Sequence, residues 1–154
     1  MRTYITIFLL SFTLFMAKAQ RNEILVPDVK TIQVIANGDW MAPPIVSLNP
    51  EDYLEISFDE LTHQYHRYIY KITHCNADWS PSGLSEIEYL NGFNNNTIDD
   101  YKNSFNTTMQ YTHYKLFLPN DDVQITASGN YILTVYDDNE NDKPILNACF
   151  SKNK

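Results

Sequence analysis

The chain has 154 residues, 44% of them hydrophobic and 14% aromatic, with 11 basic side chains against 19 acidic ones. A formal charge of −8 excludes the clustered positive footprint that nucleic acid requires and disfavours adhesion to an anionic membrane surface. The length suits one domain with its own core and is too short for two.

Residues 1–19 read as a leader. Arg2 gives a thin positive start, Ile5 to Met16 form an apolar run, and Ala17-Lys18-Ala19 has the small-x-small form of a cleavage site. A run of about a dozen residues falls short of the roughly twenty that span a bilayer. Cleavage before Gln20 is expected, leaving one exported domain over 20–154 with nine basic residues against 19 acidic. No Cys follows the site, so no direct lipid anchor is expected at this end.

From Val29 onward, short alternating runs are separated by strong turn signals. Ile32, Val34 and Ala36 alternate with Thr31 and Gln33, and Asn37-Gly38 closes that run. Pro43-Pro44 precedes Ile45–Leu48. Leu54, Ile56 and Phe58 then alternate with polar residues, the pattern of an antiparallel strand with one wet face. Arg67–Cys75 and Tyr111–Leu118 are longer runs rich in Tyr, Ile and Thr. Tyr131–Tyr136 and Ile145–Phe150 read as a hairpin across the acidic loop Asp137–Asp142. One helix of two turns at most is predicted, within Ser82–Leu90, started after Pro81 and stopped by Asn91-Gly92. About seven strands at this spacing predict an all-β, antiparallel sandwich of immunoglobulin-like or fibronectin-like kind. Residues 81–106 form its one long insertion, whose aromatics predict an ordered, packed excursion.

Catalytic and metal chemistry find little support. His63, His66, His74 and Asp78 are close in sequence, but no HExxH or CxxC spacing is present, and surface or hydrogen-bonding roles are expected for them. The run Asp137-x-Asn139-x-Asn141 opens like a calcium loop. It then places Asp142 where Gly is required and Ala148 where a bidentate Glu is required. Asp99-Asp100 and Asp121-Asp122 sit beside turn signals, which explain them more simply than a pair of catalytic carboxylates does. No GxSxG elbow occurs, and the adjacent His74 and Cys75 would face opposite sides of a strand. An enzyme reading would need a cleft joining at least two of His74, Asp78 and Asp99. Cys75 and Cys149 are the only cysteines; export permits a disulfide, and two small buried apolar residues are the favoured reading. No cofactor or metal is expected.

The informative stretch is His74–Tyr114, where Tyr, Trp, Phe and His mix with Asn, Thr and Asp and basic residues are nearly absent. Such a surface suits protein recognition, or sugar binding with Trp40, Trp79 and tyrosines as stacking platforms. A core of polar-tipped aromatics is the plainer reading for many of the tyrosines. The motif HCNADWSPS, followed by EYLNGFNNNTIDDYKNSFNTT and YTHYKLFLPN, closely resembles the N-terminal domain of the plug protein of the type 9 secretion system of Bacteroidota. The similarity runs from about Val29 through the closing hairpin.

That resemblance implies a periplasmic, non-enzymatic β-sandwich domain that docks on the periplasmic mouth of the outer-membrane translocon barrel and closes it between transport events. It singles out His74, Asn76, Asp78 and Trp79; Tyr89, Gly92 and Phe93; Tyr101, Ser104, Phe105 and Asn106; and Tyr111, His113 and Tyr114. These positions either contact a partner or lock the long loop onto the sandwich. In the first case Pro81–Asn106 is expected to be pinned by Trp79 and Phe93 and to present part of a docking surface. In the second, Asn and Asp side chains are expected to cap backbone groups. A carbohydrate-binding module of an exported glycan-processing system is the alternative. Members of the family continue well past this domain, whereas this chain ends at Lys154.

Overall fold

A computed structural model describes residues 22–140 and 143–154; the leader and its cleavage site lie outside the described residues. Twelve strands and one helical turn are described, in the order β1 (Glu23–Ile24), β2 (Val29–Ala36), β3 (Ile45–Val46), β4 (Leu54–Glu60), β5 (Tyr68–Cys75), α1 (Glu86–Tyr89), β6 (Leu90–Gly92), β7 (Asn96–Thr97), β8 (Asp100–Asn103), β9 (Thr112–Leu118), β10 (Val123–Ile125), β11 (Gly129–Asp137) and β12 (Lys143–Lys152). They form an all-β sandwich. One sheet runs β1-β12-β11-β5-β7, with β3 also on the outer edge of β12, and the second runs β2-β4-β9-β8. A short β6–β10 ladder stands apart from both. All seven strands expected from alternation are present, and the additional ones are two to four residues long.

Alternation sets the faces. On β11, Tyr131, Leu133 and Val135 point inward, and on β9 Tyr114, Leu116 and Leu118 do the same. They meet Leu54, Ile56 and Phe58 of β4 and Phe150 of β12 in one core. The tyrosines inside carry their hydroxyls to partners. Tyr70 accepts from Asn120 Nδ2 at 2.9 Å, and Tyr131 donates to Ala127 O four residues upstream at 2.8 Å, the arrangement of a tyrosine corner. Burial raises the Tyr114 phenol to about 12 and pushes those of Tyr68 and Tyr131 up as well.

At the end of the sandwich where β4 leaves for β5, the buried Glu60 carboxylate takes a hydrogen bond from His66 Nδ1 at 2.5 Å. His66 N–H in turn reaches Tyr114 Oη at 3.2 Å. This network ties the 61–67 loop to the core.

The turn residues act as their chemistry requires. Asn37 and Gly38 have φ of 52° and 75°, the paired positive values of a tight hairpin turn. Sheet edges are largely managed: β12 is flanked by β1 and β3, and β2 carries a register irregularity between Lys30 and Gln33 in which Thr31 has φ 56°.

Cys75 and Cys149 are buried thiols with no disulfide between them. The ladder explains why. Cys75 pairs with Asn130 and Cys149 with Ile132, so β11 lies between their strands. Two strand spacings, about 9–10 Å, exceed the roughly 7 Å that a bridge tolerates.

The insertion departs from expectation in detail. The helix is a single turn; the Glu88 carboxylate accepts from Ser85 N–H and Oγ, both at 2.7 Å, in a capping box. It ends because Leu90 turns extended (ψ 144°) and enters β6, with no left-handed glycine cap. The chain then pairs β7 with β5 in one sheet and β8 with β9 in the other. The insertion thus sews the two sheets together along one side. Ile98, 2% exposed, fills the seam between them, and its N–H donates to Tyr68 O at 2.8 Å.

Candidate functional site

The recognised positions fall into two groups at opposite ends of the sandwich. The first begins where β5 ends. Asn76 N–H bonds Ser80 O at 2.8 Å and Trp79 N–H bonds Asn76 O at 3.0 Å, while Asn76 Nδ2 reaches Ser80 Oγ at 3.0 Å. Asp78 Oδ1 accepts from the Ser80 amide (3.0 Å) and hydroxyl (2.6 Å), which holds its carboxyl below the usual range. Trp79 has φ 64°, uncommon for a bulky residue, in a turn fixed from both sides by these bonds. His74 Nδ1 pairs with Ser82 Oγ at 2.8 Å, and its ring meets Tyr131 edge-on at 5.1 Å. Gly129 lies beneath that ring: a Cβ there would fall 2.2 Å from Nε2. His74, Asn76 and Asp78 therefore close a loop.

The next part of this group anchors the insertion. Tyr89 is buried and its hydroxyl donates to Ile72 O at 3.1 Å. Gly92 has φ 113°, and a Cβ there would lie 2.0 Å from Asp122 O, so β6 and β10 approach as closely as they do only because glycine is present. Asn94, which the motif reading passed over, does the most. Its Oδ1 accepts from Ile72 N–H at 2.7 Å and its Nδ2 donates to Ile72 O at 2.9 Å. The side-chain amide stands in for one more residue of β7 along the edge of β5. Phe93, expected to pin the loop, is 81% exposed and pins nothing. Tyr89, Asn94 and Ile98 hold the insertion instead, because a polar edge of β5 and a narrow apolar seam are what this stretch meets.

The second group lies on the β8–β9 hairpin. Ser104 N–H bonds Tyr111 O at 2.8 Å, and Ser104 Oγ accepts from Tyr111 N–H at 3.0 Å and pairs with His63 Nε2 at 2.8 Å. Asn106 has φ 57°, the left-handed position that Asn tolerates in a tight loop. This framework presents a tip on which Phe105 is 88% and Met109 64% exposed. Tyr101 packs against Tyr65 with ring centroids 4.9 Å apart and the planes tilted by 40°, and both stay about half exposed. Tyr114 is different: it is fully buried and stacks on Phe58 at 5.1 Å, so its part is in the core.

Beside the tip, the outer face of the second sheet carries a trough of about 370 Å³ between Gln33, Asp59, Lys102, Ser104, Tyr111 and His113. His113 Nδ1 bonds Asp59 Oδ1 at 2.7 Å on its floor. Exposed aromatic and thioether side chains thus stand next to a polar concavity.

No catalytic set is assembled from the residues considered for one. His63 bonds Ser104, His66 bonds Glu60, His74 bonds Ser82 and His113 bonds Asp59, so the four histidines point to four different places. Among the described residues no group of three or more His, Cys, Asp and Glu side chains converges as a metal site would need. His74, Asp78 and Asp99 do not line the trough, and neither do Trp40 and Trp79. Asn94, Met109, Tyr65 and the His63–Ser104 pair are what sequence reasoning missed. An Asn within Asn94-Asn95-Asn96 looks like any turn residue, and an exposed Met carries no local mark.

The molecule is a two-sheet β sandwich with a sewn-in insertion and an exposed aromatic side chain at a hairpin tip. Residues 29–153 match the family described as type 9 secretion system plug protein, first domain, and the chain belongs to that family. No curated protein matches it. Among solved structures, the chain is similar to the crystal structure of a hypothetical protein from Parabacteroides merdae, at 48% identity and a TM-score of 0.82. That match covers 85% of this chain and 33% of the other, so the chain spans about a third of that protein's length.

Proposed function

We propose that this domain serves a type 9 secretion system by docking, as the first domain of a plug, on the periplasmic mouth of the outer-membrane translocon barrel, and helps close it between transport events. It acts in the periplasm by binding protein and catalyses nothing. The observation that supports this most is the β8–β9 hairpin tip, where Phe105 and Met109 are exposed on one loop beside a polar trough. Apolar anchors rimmed by hydrogen-bonding groups give a reversible seat, with contact area at the centre and specificity at the edge. Family membership supports the choice of partner.

A tagged copy used to recover outer-membrane complexes from a bacterium that carries the system tests the reading. Recovery of the translocon barrel supports it. Absence of the barrel together with saturable glycan binding would overturn it in favour of a carbohydrate-binding module.

A further inference from the structure

We propose that the open edge of β8 pairs with the same strand of a second copy, joining the second sheets of two molecules antiparallel across a two-fold axis at Tyr101. The phase of the β8–β9 ladder carries the argument. Ser104 N–H bonds Tyr111 O, and pairing continues at Lys102–His113 and Asp100–Lys115. Alternation in an antiparallel ladder then turns the N–H and C=O groups of Tyr101 and Asn103 away from β9, towards the open edge. β8 ends its sheet with all four residues exposed. Elsewhere β12 is covered by β1 and β3, β2 is interrupted at Thr31, and β7 has two residues.

Charge selects the occupant and the register. Asp100 and Lys102 share the solvent face of β8, and among the described residues neither has an ion-pair partner, whereas their neighbours Lys115 and His113 are paired with Glu55 and Asp59. Centring two copies on Tyr101 sets each Asp100 opposite the other molecule's Lys102, in the closely spaced non-hydrogen-bonded positions where opposite charges attract most. Centring them on Lys102 would set lysine against lysine. On the inner face the chosen register brings together two Tyr101–Tyr65 ring pairs, which are half exposed in the single molecule. The contact is small, so self-association is weak, with a dissociation constant between about 10 µM and 1 mM.

Sedimentation of the protein over that concentration range tests the proposal, and its outcome is independent of the docking reading. The wild type is expected to form a dimer. Lys102→Asp is expected to weaken it about tenfold, and adding Asp100→Lys to restore it, because the swapped pair is again complementary. Tyr101→Pro removes an N–H that the β8–β9 ladder does not use, and is expected to abolish the dimer while the monomer still melts cooperatively. A monomer at every concentration would overturn the proposal, as would a dimer indifferent to the charge reversal.

Discussion

Gly92 and Asn94 lie two residues apart and answer to partners far away in the chain. Gly92 lets the backbone pass against Asp122 O, and Asn94 completes the hydrogen bonding of Ile72. Gly92→Ala places a methyl 2.0 Å from a backbone oxygen at φ 113°, and a loss of about 2 kcal/mol or more is expected in urea unfolding. Asn94→Ala leaves the N–H of the fully buried Ile72 without a partner, while its carbonyl keeps the Tyr89 hydroxyl; a loss of about 1–3 kcal/mol is expected for the one unsatisfied group. Neither role was legible locally. Asn91-Gly92 read as a helix stop, and the real constraint, a neighbouring strand thirty residues on, leaves no mark beside it. The turn chemistry of Asn76 and Asp78 was readable, because Asx side chains act on residues within a few positions of themselves.

At the scale of elements, period-two alternation revealed every strand long enough to show it, β4, β5, β9, β11 and β12 among them. The insertion's strands β6, β7 and β8 span two to four residues, too few for alternation to appear, and their pairing depends on which long strand lies alongside. Hence the excursion was expected, but its stitching of one sheet to the other was not. Ile98 is the test of that stitch. Ile98→Ala opens a void between the sheets and is expected to cost about 2–5 kcal/mol in the same unfolding measurement. Conversely, Phe105→Ser and Met109→Ser at the hairpin tip are expected to change stability by no more than about 0.5 kcal/mol each.

For the molecule as a whole, the core is held by tyrosines whose ionisation folding opposes. Burial raises the phenols of Tyr68, Tyr114 and Tyr131 above the unfolded value of 10.0, with Tyr114 near 12. A raised folded-state value favours the protonated, folded form. That contribution is intact below pH 10 and is lost as pH rises towards about 12. Alkaline unfolding is therefore expected in that window, with the core tyrosines ionising only as the fold is lost; tyrosinate absorbance followed beside circular dichroism reads both. All-β architecture and family were visible in the sequence because each is spread over the whole chain. The split of one long motif into a lock at one end and a presented surface at the other was not, since a linear motif says nothing about which of its residues fold inward.

The central claim is that the hairpin end binds, while Tyr89, Asn94 and Ile98 hold the insertion at the other. It is tested most directly by how much translocon barrel a tagged protein recovers when it carries Phe105→Ser and Met109→Ser together. Recovery is expected to fall about tenfold or more, as for anchors at the centre of an interface, with the melting temperature unchanged. Full recovery of the barrel by that double variant would contradict the claim.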